Sequence, residues 1–193
     1  MRIVSYNPAY REALLEMSLR AWEPVFPRMH NDVPKFVYDA FYPQGWQQRQ
    51  LSDLEEVLDQ EPQNVSVALD DERPVGWVCA RIHPEDQMGE IYVIAVDPEC
   101  QRRGVGQQLM EHAYAQIKDA GMRMVMVETG GDSGHAPARA LYESEGFVRW
   151  PVARYFKDLG RLVCSLAGRG YERARCWGGE PRTGLRRLSV ILL

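Results

Sequence analysis

At 193 residues, with 45% apolar and 26% charged content, the chain has the length and composition of one globular domain, and no apolar run approaches the roughly 20 residues of a membrane span. The net charge of -4 conceals an acidic body and a basic end, because residues 161–193 hold seven arginines, no lysine and only Glu172 and Glu180, and an acidic body argues against nucleic acid as its main partner. Cys79, Cys100, Cys164 and Cys176 have neither metal-knuckle nor disulfide-framework spacing, and the N-terminus lacks a signal peptide's apolar stretch, so free thiols and a cytoplasmic location are expected.

Arg2 to Tyr6 reads as a first strand, and Asn7-Pro8 as the cap and first residue of a helix whose face is marked by Leu14, Leu15, Ser18 and Trp22. Pro24 and Pro27 are expected to end it. A second helical region, from about Val33 to Gln60 and broken near Pro43 and Gly45, brings the total to two or three helices before the second strand. Val65 to Leu69 and Val75 to Ile82 form a hairpin around Asp70-Asp71-Glu72-Arg73. Glu90 to Val96 is a fourth strand. Val105, Leu109, Ala113 and Ile117 recur every four residues in a helix from Gly104 to about Ala120, with Gly121 at its C-cap. Met122 to Val127 is apolar on both faces, as in a strand buried between layers. A loop over Gly130–Gly134, a helix over Pro137–Glu145 and a broken pair of strands from Phe147 to Lys157 complete the pattern.

The passage from the fourth strand into its helix carries the chemistry. Asp97-Pro98 stops the strand, and Gln101 opens a turn with two glycines, Gly104 and Gly106, beside Arg102 and Arg103. Unpaired amides at the helix start, close backbone approach and two cations make a site for a pyrophosphate-sized anion. A dinucleotide fingerprint would need glycine or alanine at Leu109, and no Lys-Ser or Lys-Thr pair follows as a Walker loop requires. A strand-to-helix turn without a ligand also accounts for the glycines taken alone.

Gln101, Arg102, Arg103, Gly104, Val105 and Gly106 resemble the Q-x-x-G-x-G signature of the GCN5-related N-acetyltransferases (GNAT). A second stretch, His135-Ala136-Pro137-Ala138-Arg139-Ala140-Leu141-Tyr142-Glu143-Ser144-Glu145-Gly146-Phe147, resembles the family's N-x-x-A-x-x-L-Y-x-x-x-G-F, in family order. His135 departs from it, standing where the family usually has asparagine, whose amide typically supports the pantetheine arm of the cofactor. The resemblance covers roughly residues 1–159. It implies an α/β (α+β) acyl-CoA N-acyltransferase fold, with a mixed central sheet splayed between strands 4 and 5 and flanked by helices. It also implies acetyl-CoA as the acyl donor and no metal. Cofactor contacts would come from Ile94, Ala95 and Val96 of the strand, from Gln101 through Gln107 of the loop, and from His135 and Tyr142.

Acyl transfer to an amine near pKa 10.4 needs a group that takes the ammonium proton, and a thiolate leaving group benefits from a proton donor. Glu90, eleven residues before Gln101 as in the histone-acetylating branch of the family, is the leading base, with Glu128 and His83 in reserve. Tyr142 is the acid. The acceptor side is rich in aromatics, among them Trp22, Phe26, Tyr38, Tyr42, Trp46 and Tyr155, with Glu23, Asp32 and Asp39 between them. The partner is therefore a small-molecule or peptide amine, with no nucleic acid and no membrane, and a homodimer is left open. The competing reading is an acyl-CoA-binding sensor without turnover. Gly131-Asp132-Ser133-Gly134 resembles a serine-protease nucleophile segment but sits in the wrong fold class. Residues 160–193 read as a basic Gly/Arg-rich extension.

Overall fold

The computed structural model describes residues 1–160; the tail beyond, with Cys164, Cys176 and most of the expected basic extension, lies outside the described residues. Met1–Arg149 form one compact unit, and Trp150 begins a second. The first unit is built on five strands in the order β1-β2-β3-β4-β5: β1 Arg2–Ser5, β2 Val65–Asp70, β3 Arg73–His83, β4 Met88–Val96 and β5 Met124–Val127. Neighbours pair antiparallel except β4 and β5, which are parallel. The β2–β3 hairpin turns on Asp71, which takes the left-handed conformation at φ 52° that short polar side chains tolerate.

Four helices separate β1 from β2: α1 Arg11–Trp22, α2 Phe26–Asp32, α3 Lys35–Phe41 and α4 Trp46–Gln60. The Asn7 side chain accepts a bond from the Ala9 amide at 2.9 Å and starts a short 3-10 turn, Pro8–Tyr10, that leads into α1. The expected count of two or three missed α2, because Pro27 lies in that helix's first turn, where its missing donor costs nothing, and so opens a helix instead of closing one. Gly45, at φ 89°, makes the break before α4. Helix α5, Val105–Asp119, is the crossover between the parallel strands β4 and β5, and α6, Ala136–Ser144, follows β5.

The alternation of the strands divides the core in two. Val67, Trp77, Cys79, Val93 and Ala95 face α1, α2 and α4, whose Leu14, Trp22, Phe26, Leu54 and Leu58 are buried against them. Val78, Ala80, Ile91, Ile94 and Val96 face α5 and α6, meeting Leu109, Met110, Ile117, Ala138 and Tyr142. The indole of Trp77, fully buried, donates to Ser18 Oγ at 2.9 Å, and Ser18 donates on to the Leu14 carbonyl, so this polar group of the core is satisfied through α1.

Two expectations about the later strands fail. β5 is not buried between layers: Met124 is 52% exposed, and β5 is the edge of the five-stranded sheet. No strand forms over Phe147–Lys157, where Val148, Trp150, Val152 and Tyr155 lie exposed. Pro151 has no ladder donor, and the Val152 amide turns back onto the Trp150 carbonyl at 3.0 Å, so the apolar alternation there has no backbone geometry to support it.

Candidate active site

β4 and β5 pair only from Met88↔Met124 to Ile91↔Val127. β5 then ends while β4 runs on to Val96, so the β5-side edge of Tyr92–Val96, which includes Ile94, Ala95 and Val96, has no strand partner among the described residues. At the same point β4 bulges: Cys79 pairs with Val93 and Ala80 with Ile91, leaving Tyr92 as the extra residue. The Arg81 guanidinium lies 3.2 Å from the centroid of the Tyr92 ring and is bound to Glu61 at the end of α4, with Nε 2.8 Å from Oε2. The parting of the strands is thus a built feature, pinned from the α4 side.

Beyond Val96 the Asp97 side chain accepts from the Glu99 amide at 3.0 Å and caps a 3-10 turn, Pro98–Cys100. Its carboxylate, 2% exposed, also accepts from Arg20 of α1 and Arg73 of β3. Burial pushes the Asp97 carboxyl up, but the Glu99 amide and the two guanidiniums outweigh it and hold it below the usual value. The Gln101 side chain donates through Nε2 to the Val96 carbonyl at 3.4 Å, Arg102 is left-handed at φ 59°, and Gly104 at φ 82° is the N-cap of α5. No side chain caps this helix, so the first-turn amides of Val105, Gly106 and Gln107 point out of its N-terminus, and nothing lies within 4 Å of where a Gly104 side chain would begin. Arg103 is largely exposed, 3.8 Å from Asp70, so the cradle is made by backbone with the arginines at its flank.

Tyr142 lies buried on α6 against Phe147, and its hydroxyl has no hydrogen-bond partner among the described residues; burial pushes the phenol well above its ordinary pKa. The Thr129 hydroxyl, just past β5, is buried and unpartnered in the same way. Such orphaned donors near the parted strands fit a polar chain of pantetheine type. His135 occupies the N-cap position of α6 without a side-chain capping bond and is buried, with Nδ1 2.7 Å from Asp132 Oδ2; the loop is held further by Arg139 on the Gly130 and Asp132 carbonyls and by the Ser133 amide, which donates to Asp32 of α2. The departure from asparagine therefore comes with its own carboxylate, which fixes the ring and leaves Nε2 as the nitrogen available to a ligand.

Glu90 stands on β4 two positions before the bulged Tyr92, on the α1–α4 face, and its carboxylate is 2.9 Å from His83 Nε2. The base expected first and one of its reserves are thus one unit. Glu128 lies between β5 and the Asp132 loop. On the acceptor side Phe26 stacks on Trp46 at 4.3 Å with Tyr42 edge-on, Tyr38 touches Tyr42 and His30, and the Arg49 guanidinium lies 5.1 Å over Phe41. Trp22 is core, and Tyr155, 90% exposed, belongs to the second unit. Asp39 is paired with Lys35. Sequence reasoning missed Asp97, read only as a strand stop, and Asp132, set aside with the protease-like segment; the Asp-x-x-His spacing was the available signal for the second. Among the described residues no cluster of His, Cys, Asp and Glu could hold a metal, and no helix is long and apolar enough to cross a membrane.

The architecture is shared with solved acetyltransferases at identities that speak for the fold alone. The ribosomal-protein-S18-alanine N-acetyltransferase of Escherichia coli superposes with a TM-score of 0.53 at 18% identity, over 78% of this chain and 79% of that one. A Thermoplasma acidophilum N-acetyltransferase in complex with coenzyme A gives 0.54 at 14%, over 76% and 89%. In sequence, the mycothiol acetyltransferase of Thermomonospora curvata is 37% identical over 92 residues, 48% of this chain and 30% of that protein, and the chain spans about a third of the length of the curated relatives it matches. The model of the acetyltransferase (GNAT) family matches residues 26–147, and the chain belongs to that family.

Proposed function

We propose that residues 1–159 form an N-acetyltransferase that moves an acetyl group from acetyl-CoA directly to an amine, and that residues 160–193 are an extension outside the catalytic unit. The observation that carries this is the joining of three features at one place. β4 and β5 part at the Tyr92 bulge, an uncapped helix N-terminus at Gly104 follows eight residues beyond the end of β4, and Tyr142 brings a buried hydroxyl without a partner among the described residues.

The amides of Val105, Gly106 and Gln107 would hold the pyrophosphate, aided by Gln101, Arg102 and Arg103, and the open edge of Ile94, Ala95 and Val96 would pair with the pantetheine arm, with His135 Nε2 on its other side. The thioester then lies near the bulge. Glu90 takes the ammonium proton, the amine attacks the carbonyl carbon, and a backbone amide of the open β4 edge receives the oxyanion. The C–S bond breaks as the carbonyl re-forms. Because burial keeps the Tyr142 phenol protonated through physiological pH, it is present as a donor when charge develops on sulfur.

The name of the mycothiol acetyltransferase relatives supports a small-molecule amine, and the aromatic cluster around Tyr42 suits an acceptor with an apolar body. Coenzyme A thiol release measured over spermidine, glucosamine and short peptides with free α- or ε-amines tests the reading. Acceptor-dependent release with at least one amine is expected. Tight acetyl-CoA binding with no release on any of them would favour the sensor.

A further inference from the structure

On the α1–α4 face of the sheet, at the far end of β3 and β4 from the glycine loop, three side chains form a line of increasing exposure. The Glu90 carboxylate is 9% exposed; His83 Nε2, 2.9 Å away, belongs to a ring 23% exposed; and His83 Nδ1 lies 3.8 Å from the Glu85 carboxylate, which is 68% exposed. A carboxylate that buried cannot hand a proton straight to bulk water. An imidazole can accept at one nitrogen and release at the other, and here one nitrogen faces inward and the other outward.

We propose that His83 is the proton exit of the site, carrying to solvent the proton that Glu90 removes from the acceptor. This rests on the reading of Glu90 as the base. With His83 neutral and protonated at Nδ1, the proton on Glu90 Oε2 crosses to Nε2, and the carboxylate is restored. The imidazolium then gives up its Nδ1 proton toward Glu85 and water. This leaves the Nε2–H tautomer donating to the restored Glu90 carboxylate, and rotation of the ring about its Cβ–Cγ bond, which carries Nε2 outward to exchange with water, returns the Nδ1–H form for the next proton. One proton enters at Glu90 and one leaves at Nδ1, with no other reactant.

The surroundings support a relay more than a structural pair. The neighbouring charges on this face, Arg81 and Glu61, are bound to each other, and the Cys79 thiol is pushed up to about 12 by burial first, so none of them competes for the proton near neutrality. His83 ends β3 at a turn, Pro84–Asp86, where its ring is held by Glu90 and approached by Glu85, and the turn's own hydrogen bond runs through backbone, Gln87 amide to Pro84 carbonyl. The strand therefore does not depend on the ring.

The test compares His83→Ala, Glu90→Gln and the unaltered full chain with whichever amine is turned over, in a weakly protonating buffer and with imidazole added from zero upward. His83→Ala is expected to lose about tenfold in kcat, with acetyl-CoA affinity and melting temperature unchanged, and to recover most of the loss as imidazole rises. Glu90→Gln is expected to lose more and to recover nothing. Wild-type kcat in His83→Ala, or a loss that imidazole leaves untouched, overturns the relay while Glu90 stands as the base. Full activity in Glu90→Gln, or no turnover with any amine, overturns the base assignment and the relay with it.

Discussion

The Asp97 carboxylate at the end of β4 accepts from Arg20 of α1 at 3.0 Å, so the helix that lines one face of the core is tied to the first residue of the loop that opens the other. Arg73 adds a second bond at 3.1 Å and the Glu99 amide a third. Both guanidiniums are about half exposed, and their pairing is discounted for solvent screening. Asp97→Asn, which keeps the cap but not the charge, is expected to cost about 1 kcal/mol, and Asp97→Ala, which loses both, about 2 kcal/mol. Because the folded carboxyl sits below its ordinary value near 3.8, its contribution is present above that pH and lost as pH falls below it. Urea unfolding at pH 7 and pH 3 checks this: the gap between wild type and Asp97→Asn should shrink at pH 3.

Gly104 and Gly89 are needed for different reasons, and alanine separates them. At Gly104 the φ of 82° is the whole penalty, since a Cβ there meets nothing within 4 Å, so Gly104→Ala should cost about 1 kcal/mol and raise the acetyl-CoA KM as the cradle shifts. At Gly89 a Cβ would overlap the Ile117 side chain of α5, so Gly89→Ala should cost about 2 kcal/mol with the KM little changed. Thermal melts and steady-state kinetics on both variants make the comparison. Equal KM values would mean that the loop shape is not used in binding.

What was legible in the chain, and what was not, divides along the range of the interactions. The α5 face of Val105, Leu109, Ala113 and Ile117 is buried as its period demanded, and the hairpin, the cap at Asn7 and the glycine loop follow from residues within a few positions of each other. Pairings across the fold were illegible. Nothing local says that His83 will reach Glu90, that Arg81 will stack on Tyr92 or that Asp97 will gather Arg20 and Arg73, because each depends on strand register and on a bulge that slips it by one residue. The strands expected over Phe147–Lys157 failed for the converse reason: apolar alternation is a side-chain signal, and the backbone there has a proline where a ladder needs a donor.

His135 stands where the family's amide is expected, and its ring is oriented by Asp132 at 2.7 Å. If Nε2 contacts the pantetheine arm, His135→Ala should raise the acetyl-CoA KM by about tenfold, the worth of one hydrogen bond, while His135→Asn should stay within about threefold. Asp132→Asn should fall between them, since the ring is kept but less firmly aimed. Three equal KM values in steady-state assays would remove the loop from the cofactor site.

Tyr142 gives the sharpest separation of chemistry from folding. Its hydroxyl is buried without a partner among the described residues, and its ring packs on Phe147 at 5.7 Å between centroids. In the free protein that hydroxyl is a desolvated donor that gains nothing, so Tyr142→Phe keeps the packing, removes an unsatisfied group and should leave the melting temperature unchanged or raise it. A structural tyrosine would show no other effect. A donor to the leaving thiolate predicts instead that kcat falls by about a hundredfold while acetyl-CoA affinity moves by less than about threefold, because the lost interaction belongs to the transition state and hardly to the ground state. Stopped or steady-state thiol release, set beside calorimetric titration of acetyl-CoA and a melt of the same preparation, reads all three quantities. A kcat that does not move, in a variant that binds and melts like wild type, would remove Tyr142 from the reaction.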